Sequence, residues 1–310
     1  MARTRIRTVD DDDRFRCVRM VEATARACPL CSGKRGRRVW RENGYRYIRC
    51  VGCHLVWADI SPDEYAAQRH NVWDDHLVSP ETEDFYGRAR ERVHHQFLRS
   101  VAPRPGRLLD VGCGLGYFLA RARESGWTVR GCDTSAAWAE ATNNRLGDHV
   151  ASVGELRDAI APEERFDVIT AWDVIEHIHD PVSFLRDLGS RLAPGGQIFL
   201  RTPNLLYVLP LYALRRRLGH DVGLEPTNHV VYFDAATMRR TLARADLQPV
   251  DWPVLVPPQV ETFAPLTAPI GRAVRLKNRY AHLAHRLAAM SFGRAVIGSD
   301  LDVVATRMTR

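Results

Sequence analysis

The stretch from Leu108 to Gly116, LLDVGCGLG, combines residue types that can bind a nucleotide cofactor. Its first residues are apolar, as at the end of a buried strand, and Gly112, Gly114 and Gly116 follow at alternate positions. Residues 117–123 then have the pattern of a helix. A strand that runs through a glycine loop into a helix lets backbone approach a ligand and presents free N–H groups to it. The stretch therefore predicts a cofactor loop, although alternate glycines alone also occur in ordinary tight turns.

Two carboxylates indicate which cofactor this loop accepts. Asp110 lies at the carboxyl end of the predicted strand, where a pyrophosphate would meet a like charge and an ammonium group an opposite one. Asp133 follows Gly112 by 21 residues, after a second predicted strand, where a carboxylate can accept both ribose hydroxyls. The loop also has Tyr117 where the dinucleotide fingerprint requires its last glycine. We therefore predict S-adenosylmethionine (SAM) as the cofactor rather than NAD.

A second group of residues has the spacing of a metal site. Four cysteines form two C-x2-C pairs separated by 18 residues: Cys28, Cys31, Cys50 and Cys53. Such pairs place four thiolates around one tetrahedral zinc ion with no open coordination position, which indicates a structural metal. Two short strands joined at Asn43-Gly44 lie between them. We predict a zinc ribbon over residues 26–60, preceded by a flexible tail at 1–25, and expect zinc to supply its folding free energy.

From about Arg107 to Arg307 the chain resembles the class I SAM-dependent methyltransferases. LLDVGCGLG is similar to the first motif of that family, and Asp133 to its ribose-binding acid. Residues 166–181 (FDVITAWDVIEHIHDP) and 192–204 (LAPGGQIFLRTPN) resemble its fourth-strand and fifth-strand segments. The resemblance implies an α/β fold for residues 61–310, with a Rossmann-like seven-stranded sheet, helices on both faces and a closing β-hairpin.

The resemblance also implies which residues contact SAM. The family places Gly154 and Glu155 beside the adenine, while Trp172 and Asp173 end the fourth strand at the ligand edge of an open α/β sheet. The complete set that we expect to bind the cofactor is Asp110, Gly112, Cys113, Gly114, Asp133, Thr134, Gly154, Glu155, Trp172 and Asp173.

Two histidines are candidates for a general base. Methyl transfer from a sulfonium is an in-line displacement, which needs alignment and exclusion of water. A hydroxyl or carbon-acid acceptor also needs a base, and histidine is the usual one near neutral pH. His229 lies in a segment, EPTNHVVYF, that the family places beside the acceptor, and His177 follows the fourth strand. We expect His229 to be the base ahead of His177. Asn228 could orient it, and Tyr232 could share its proton or position the substrate; a structural role remains the alternative for both histidines.

Three segments of the chain are additional to the elements of a minimal methyltransferase domain. Residues 62–101 are predicted to be helical and, by resemblance, to cover the cofactor pocket. Inserts near 205–224 and 257–298 are expected to form a lid or interaction surface beside the carboxyl edge of the sheet. Within the second insert, apolar residues recur at helical steps along 270–291. That face either packs on its own domain or forms a homodimer or membrane-surface contact.

Charge and composition limit the functions that these motifs serve. The net charge is +7, and residues 1–60 alone hold 14 Lys and Arg against 7 Asp and Glu. This basic region is either a solvated face or a polyanion contact. An apolar leader and a long apolar run are missing from the sequence, so we expect no signal peptide, no transmembrane span and a cytoplasmic location.

We therefore expect methyl transfer from SAM to a small-molecule acceptor, the hydroxyl or carbon acid of a sugar or secondary-metabolite intermediate. Many bacterial methyltransferases that act on such compounds resemble this arrangement of ribbon and catalytic domain. One alternative is an rRNA or tRNA methyltransferase whose basic ribbon holds the RNA. Another is a zinc-ribbon adaptor with a decayed catalytic domain, against which the intact Asp110, Gly112, Gly114 and Asp133 argue.

Overall fold

The computed structural model describes residues 21–73, 89–147, 149–253 and 298–308, together with the isolated positions 87, 255, 279, 283, 286, 287, 290, 291 and 296. In chain order the strands are β1 (Glu22–Ala23), β2 (Arg35–Glu42), β3 (Tyr45–Cys50), β4 (Val56–Ala58), β5 (Arg107–Val111), β6 (Thr128–Asp133), β7 (Ala151–Val153), β8 (Phe166–Trp172), β9 (Leu192–Pro203), β10 (Val231–Tyr232), β11 (Leu247–Asp251) and β12 (Asp300–Arg307). The α-helices are α1 (Pro62–Trp73), α2 (Ala89–Ser100), α3 (Tyr117–Glu124), α4 (Ala136–Leu146), α5 (Leu156–Ala159), α6 (Pro181–Ser190), α7 (Leu205–Arg217) and α8 (Ala235–Arg244), and a 3-10 helix spans Ile175–His177.

The larger sheet has seven strands in the order β11-β12-β9-β8-β5-β6-β7. The five strands from β5 to β9 run parallel, whereas β11 and β12 pair antiparallel. Most residues of β5 and β8 are apolar and buried, which is the pattern of central strands covered by helices on both faces. The predicted Rossmann-like seven-stranded sheet is confirmed.

The strand order decides where a ligand can bind. After β5 the chain adds β6 and β7 on one side, and it then returns to place β8 on the other side of β5. Such a reversal is the topological switch point at which open α/β sheets bind ligands, beyond the carboxyl ends of the strands. The loop that joins β5 to α3 contains the predicted cofactor glycines. The fold therefore places this loop at the ligand edge of the sheet.

An aromatic cluster joins α2 to that edge. The Trp172 ring lies 4.6 to 5.4 Å, between ring centroids, from those of His94, Phe97, Phe118 and Phe199. Burial lowers the pKa of His94 well below its usual range, so this imidazole packs as a neutral ring. The helices predicted within residues 62–101 are thus α1 and α2, while residues 74–86 and 88 lie outside the described residues; a cover over the cofactor pocket stays a prediction.

The smaller sheet has the order β1-β2-β3-β4-β10 and contains the predicted ribbon. Its β2–β3 hairpin turns at Asn43-Gly44 as the sequence predicts, with positive φ at both residues. Strand β1 extends the sheet back to Glu22, inside the segment predicted as a tail, and the Glu22 carboxylate pairs with Arg46 at 3.0 Å. At the opposite edge β4 pairs with β10, which follows β9 in the chain. The buried residues of the ribbon thereby join the core of the larger domain.

The two predicted inserts differ in how much of them is described. The first contains α7, which buries Leu205 and Val208 and exposes Leu206 and Leu214. Most of the second, 257–298, lies outside the described residues. Its isolated positions 279, 283, 286, 287 and 290 are helical. The apolar side chains among them are exposed: Leu283, Leu287 and Met290. Among the described residues, no helix is both long and apolar enough to cross a membrane.

Candidate functional site

The loop after β5 consists of glycines in backbone conformations that other residues avoid. Gly112, Gly114 and Gly116 have φ angles of 71°, 54° and 73°. A Cβ on Gly112 would lie 2.6 Å from the Val174 side chain, and one on Gly116 would lie 2.8 Å from Thr142. Side chains at these positions would force the backbone away from its neighbours. The loop therefore has the close backbone approach that a cofactor loop requires.

Asp133 connects this loop to the neighbouring strand. It is the last residue of β6, and its two carboxylate oxygens accept hydrogen bonds from Gly114 N and Ser135 N, each at 2.9 Å. Ser135 in turn caps α4 by accepting from Trp138 N. A carboxylate offers about four acceptor positions, so it can accept ribose hydroxyls as well as backbone N–H groups. The Asp133 carboxylate can thus hold the loop in its conformation and bind the cofactor at the same time.

Asp110 lies beneath the loop and is only 2% exposed. Its carboxyl group accepts a hydrogen bond from the Thr170 hydroxyl at 2.6 Å. Burial raises the pKa of Asp110 well above its usual range; the Thr170 hydrogen bond opposes this rise, and the charge of Asp133 adds to it. An ammonium group beside this carboxyl would favour its ionised form. Contact between Asp110 and the methionine end of SAM stays a prediction.

The other predicted cofactor residues lie along the same edge: Cys113, Thr134, Gly154, Glu155, Trp172 and Asp173. Thr134 and Glu155 are exposed, and the Gly154 N–H donates to the Asp133 carbonyl at 2.9 Å. Cys113 and Trp172 are buried, with the indole inside the aromatic cluster. Their contacts with SAM stay predictions.

Asp173 follows β8 with a φ of 54°, which is uncommon for a residue other than glycine. Its carboxylate pairs with the guanidinium of Arg90, on α2, at 2.8 Å. Sequence analysis did not select Arg90, because nothing in the local pattern distinguishes it from the other charged residues of α2. The pair places a negative and a positive group together at the ligand edge. An amino-acid moiety carries the complementary ammonium and carboxylate groups.

The two predicted histidines are neighbours, with ring centroids 5.0 Å apart. His177 Nδ1 lies 2.7 Å from the Asn228 carbonyl oxygen, and because a carbonyl only accepts, Nδ1 carries the proton and Nε2 keeps its lone pair. His229 Nδ1 lies 3.0 Å from the Tyr232 hydroxyl, which donates its proton to the Leu224 carbonyl. Tyr232 therefore accepts from His229 Nδ1–H. His229 thus keeps an unprotonated Nε2 while its Nδ1–H is held by Tyr232.

Burial lowers the pKa of His229 to about 4, so its ring is neutral and able to accept a proton at neutral pH. His229 Nδ1 pairs with the Tyr232 hydroxyl, and the expected role of Tyr232 in sharing the proton or positioning the substrate stays a prediction. Among the described hydrogen bonds, none joins Asn228 to the His229 ring, so orientation of His229 by Asn228 is not seen. Asn228 lies in a turn that directs its carbonyl to His177, while its side-chain amide donates to Glu225 at 3.1 Å.

Glu176 joins this pair, although sequence analysis did not select it. The residue is fully buried, and neither carboxylate oxygen has a well-formed hydrogen bond to a described residue. One of its oxygens and one nitrogen of each ring, His177 and His229, lie within 4.8 Å of one another. Burial and then the charge of Asp173 raise its pKa well above its usual range. The sequence signal for it was its position directly before the candidate His177 in the segment DVIEH.

Comparison with known proteins assigns the family. The sequence model of the family described as "Methyltransferase domain" matches residues 81–251, more than half of the chain. The chain belongs to the class I SAM-dependent methyltransferases.

This methyltransferase is 38% identical over 125 residues to the ubiquinone biosynthesis O-methyltransferase of Parvibaculum lavamentivorans, covering 37% of this chain and 49% of that protein. It is 27% identical over 111 residues to the protein of the same name from Coxiella burnetii, covering 34% of this chain and 47% of that protein. The matched region thus spans about half the length of these relatives.

Solved structures agree on the fold. The methyltransferase is similar to the 1,6-didemethyltoxoflavin-N1-methyltransferase of Burkholderia thailandensis, with a TM-score of 0.51 and 17% identity, over 87% of this chain and 98% of that one. It is also similar to the complex of the Haloferax volcanii Trm112 methyltransferase activator with a putative methyltransferase, with a TM-score of 0.50 and 18% identity, over 81% and 100% of the chains. At these identities the likeness concerns the fold alone.

The ribbon of the methyltransferase brings together the four cysteines that the spacing predicts: Cys28, Cys31, Cys50 and Cys53. The Sγ atoms of Cys28 and Cys53 lie 3.4 Å apart, and those of Cys31 and Cys50 lie 3.5 Å apart. Tetrahedral zinc with Zn–S bonds of about 2.3 Å requires S···S distances of about 3.8 Å. The cluster therefore fits a zinc ion, whose binding would lengthen these two S···S distances only slightly.

Proposed function

We propose that this methyltransferase transfers the methyl group of SAM to a small-molecule acceptor with a hydroxyl or carbon acid, such as a sugar or secondary-metabolite intermediate. The observation that carries this proposal is the half-buried pair of His177 and His229 beside the carboxyl end of β8, in which Tyr232 holds Nδ1 of His229 and leaves its Nε2 able to accept a proton. A neutral imidazole in such a position is suited to deprotonating a small acceptor. The ubiquinone biosynthesis O-methyltransferases among the relatives support O-directed chemistry.

The residues divide the work of this reaction. When bound, SAM supplies a methyl group activated by its sulfonium charge. His229 Nε2 takes the proton of the acceptor hydroxyl or C–H, which leaves the acceptor oxygen or carbon able to receive the methyl group that bound SAM would supply. Tyr232 holds the His229 ring through Nδ1, and the imidazolium that forms favours the ionised form of the nearby Glu176, which in turn stabilises the positive ring. His177, held by Asn228, orients the acceptor.

The test of this proposal is a screen of the purified chain for S-adenosylhomocysteine formation against phenols, sugar nucleotides and carbon acids. We expect turnover with at least one class and none without an acceptor. Binding of SAM without turnover on any small molecule, together with methylation of RNA, would contradict it.

Asp133 provides a prediction about the cofactor. In Asp133→Ala we expect SAM affinity to fall about 5- to 150-fold, or about 1–3 kcal/mol, because ribose hydroxyls and the Gly114 N–H lose their acceptor. The measurement is calorimetric titration with SAM. Asp167→Ala is the matched control, since Asp167 also accepts from a backbone N–H, that of Arg107, but at the opposite end of the sheet. Wild-type affinity in Asp133→Ala would reject the assignment.

Exposure of basic residues on the ribbon supports an alternative acceptor, rRNA or tRNA. Lys34, Arg35 and Arg37 are exposed on and beside β2. Contacts to phosphates would give RNA binding that weakens steeply as salt rises. An electrophoretic shift with total tRNA at 50 and 200 mM salt tests this alternative. We expect no specific shift at the higher concentration, and a retained shift that Lys34→Ala weakens would favour RNA.

A further inference from the structure

We propose that the ribbon holds the acceptor side of the active site, and that Tyr47 is a positioning residue for His229. The inference rests on the proposed function, since it takes the segment from Leu224 to Tyr232 as the part that faces the acceptor. It concerns a different observation, namely what keeps that segment in place. Except for the two residues of β10, the segment has no strand or helix of its own to hold its backbone.

The ribbon sheet supplies the backbone partners of this segment. Strand β4 pairs antiparallel with β10, with Trp57 opposite Val231 and Val56 opposite Tyr232. The pairing continues one step earlier, where the Ala58 N–H donates to the Val230 carbonyl at 2.9 Å. The residues directly after His229 are therefore the edge strand of the ribbon sheet. A shift of the ribbon would shift His229 with it.

Tyr47 reaches His229 itself. This residue of β3 is fully buried, and its hydroxyl lies 2.6 Å from the His229 carbonyl oxygen and 2.8 Å from that of Leu224. The Leu224 carbonyl also accepts from Tyr232, the partner of the His229 ring. The rings of Tyr47 and Tyr232 pack edge to face with centroids 5.7 Å apart. The single proton of this hydroxyl is shared between the two carbonyls or donated to either, so one group of the ribbon contacts both the backbone of His229 and the carbonyl to which Tyr232 is bound.

Glu42, at the end of β2, makes a second attachment. Its carboxylate accepts from Leu224 N at 2.7 Å and from the Trp40 indole at 2.9 Å. Gly223 allows this approach, because a Cβ there would collide with the Glu42 carboxylate. The start of the segment is therefore bound at its N–H by Glu42 and at its carbonyl by Tyr47.

The same segment is held from α1. The Tyr65 hydroxyl donates to the Asn228 carbonyl at 3.2 Å, and that carbonyl also accepts from His177. Side chains from the ribbon and the helix that follows it thus hold the backbone next to both histidines. A ribbon that served only as a cap or an RNA platform would not need hydrogen bonds to these atoms. Preorganised support of this kind is what keeps a functional side chain in its productive geometry.

The test compares Tyr47→Phe with the zinc-loaded wild-type chain. Without the hydroxyl, we expect the amides of residues 229–233 to exchange with solvent at least about tenfold faster, while the amides of the glycine loop at 112–116 keep their rates. Because burial holds the pKa of His229 at about 4, we also expect this pKa, measured by NMR of the imidazole, to rise toward its ordinary value of ~6.5. A general loss of stability would not move one imidazole selectively.

Arg46→Gln is the control, because Arg46 pairs with Glu22 and Asp59 inside the ribbon and has no described bond to the 224–232 segment. Should Tyr47→Phe fail to fold, the same measurements are made on Glu42→Ala, because Glu42 is less buried than Tyr47. Unchanged exchange and an unchanged His229 pKa would overturn the inference, as would equal effects in Arg46→Gln. None of these readouts requires methyl transfer, so a failure of the proposed function is detected separately, by turnover that survives the loss of His229.

Discussion

In His229→Ala we expect turnover to fall by about 10²–10⁴-fold while SAM affinity stays nearly unchanged. The variant loses the Nε2 that takes the acceptor proton, but the glycine loop, Asp110 and Asp133 are untouched. The pH profile provides a second readout. A base must be unprotonated, so wild-type turnover should decrease as pH falls through the His229 pKa of about 4, and this acidic limb should be missing in the variant.

The measurement is S-adenosylhomocysteine formation with the acceptor that the screen identifies, combined with calorimetric titration of SAM. His220→Ala is the matched control, because His220 is an exposed histidine just beyond α7. His177→Ala distinguishes the two imidazoles: if His177 only orients the acceptor, its loss lowers turnover without removing the acidic limb. Retention of that limb and of most turnover in His229→Ala would place the base elsewhere.

Loss of the cysteine cluster should have the largest effect on stability. Freshly purified chain should contain about one zinc ion, and Cys50→Ser should contain almost none. Zinc binding supplies much of the folding free energy of small metal-bound modules. At a loss of about 4 kcal/mol or more, the melting temperature should fall by at least about 8 °C, since domains of this size shift by about 2–4 °C per kcal/mol. Differential scanning calorimetry and elemental analysis make these measurements.

Cys132→Ser is the control for that experiment. Cys132 is as deeply buried as Cys50, at 1% exposure, but lies in β6 of the larger sheet and outside the cluster. The same chemical change there should leave the zinc content at one per chain. Because β4 pairs with β10, we also expect Cys50→Ser to lower turnover more than it lowers SAM affinity. Wild-type protein that contains no zinc after reduced purification would contradict the assignment of the metal.

The two predictions meet in the segment between Leu224 and Tyr232. It contains the expected base, and the sheet that contains the cysteine cluster supplies its backbone partners. A change in either place should therefore affect the acceptor side of the reaction first. The SAM side depends on β5, β6 and their loops, which have their own hydrogen bonds through Asp133. Cofactor affinity and turnover should thus respond separately to mutation.

Local patterns were enough to predict parts of the fold. The glycine loop, each C-x2-C pair and the hairpin at Asn43-Gly44 depend on residues within a few positions of one another. An apolar run such as that of β8 also predicts a buried strand without information from the rest of the chain. For this reason the ribbon and the cysteine cluster could be predicted from local patterns, while the seven-stranded sheet was implied by the resemblance that the glycine loop and the strand segments have to the methyltransferase family.

Tertiary structure decided which groups meet at the ligand edge. The bonds from Tyr47 to Leu224 and His229, and the pair of Arg90 with Asp173, join residues that are distant in the chain. No periodicity or spacing records such contacts, because they depend on how two separately formed elements pack. Contacts between neighbouring residues can also escape prediction from the sequence. Asn228 directly precedes His229, yet the turn directs its carbonyl to His177. The residues that can react were therefore visible in the sequence, whereas their partners and the role of the ribbon beside them depended on long-range packing.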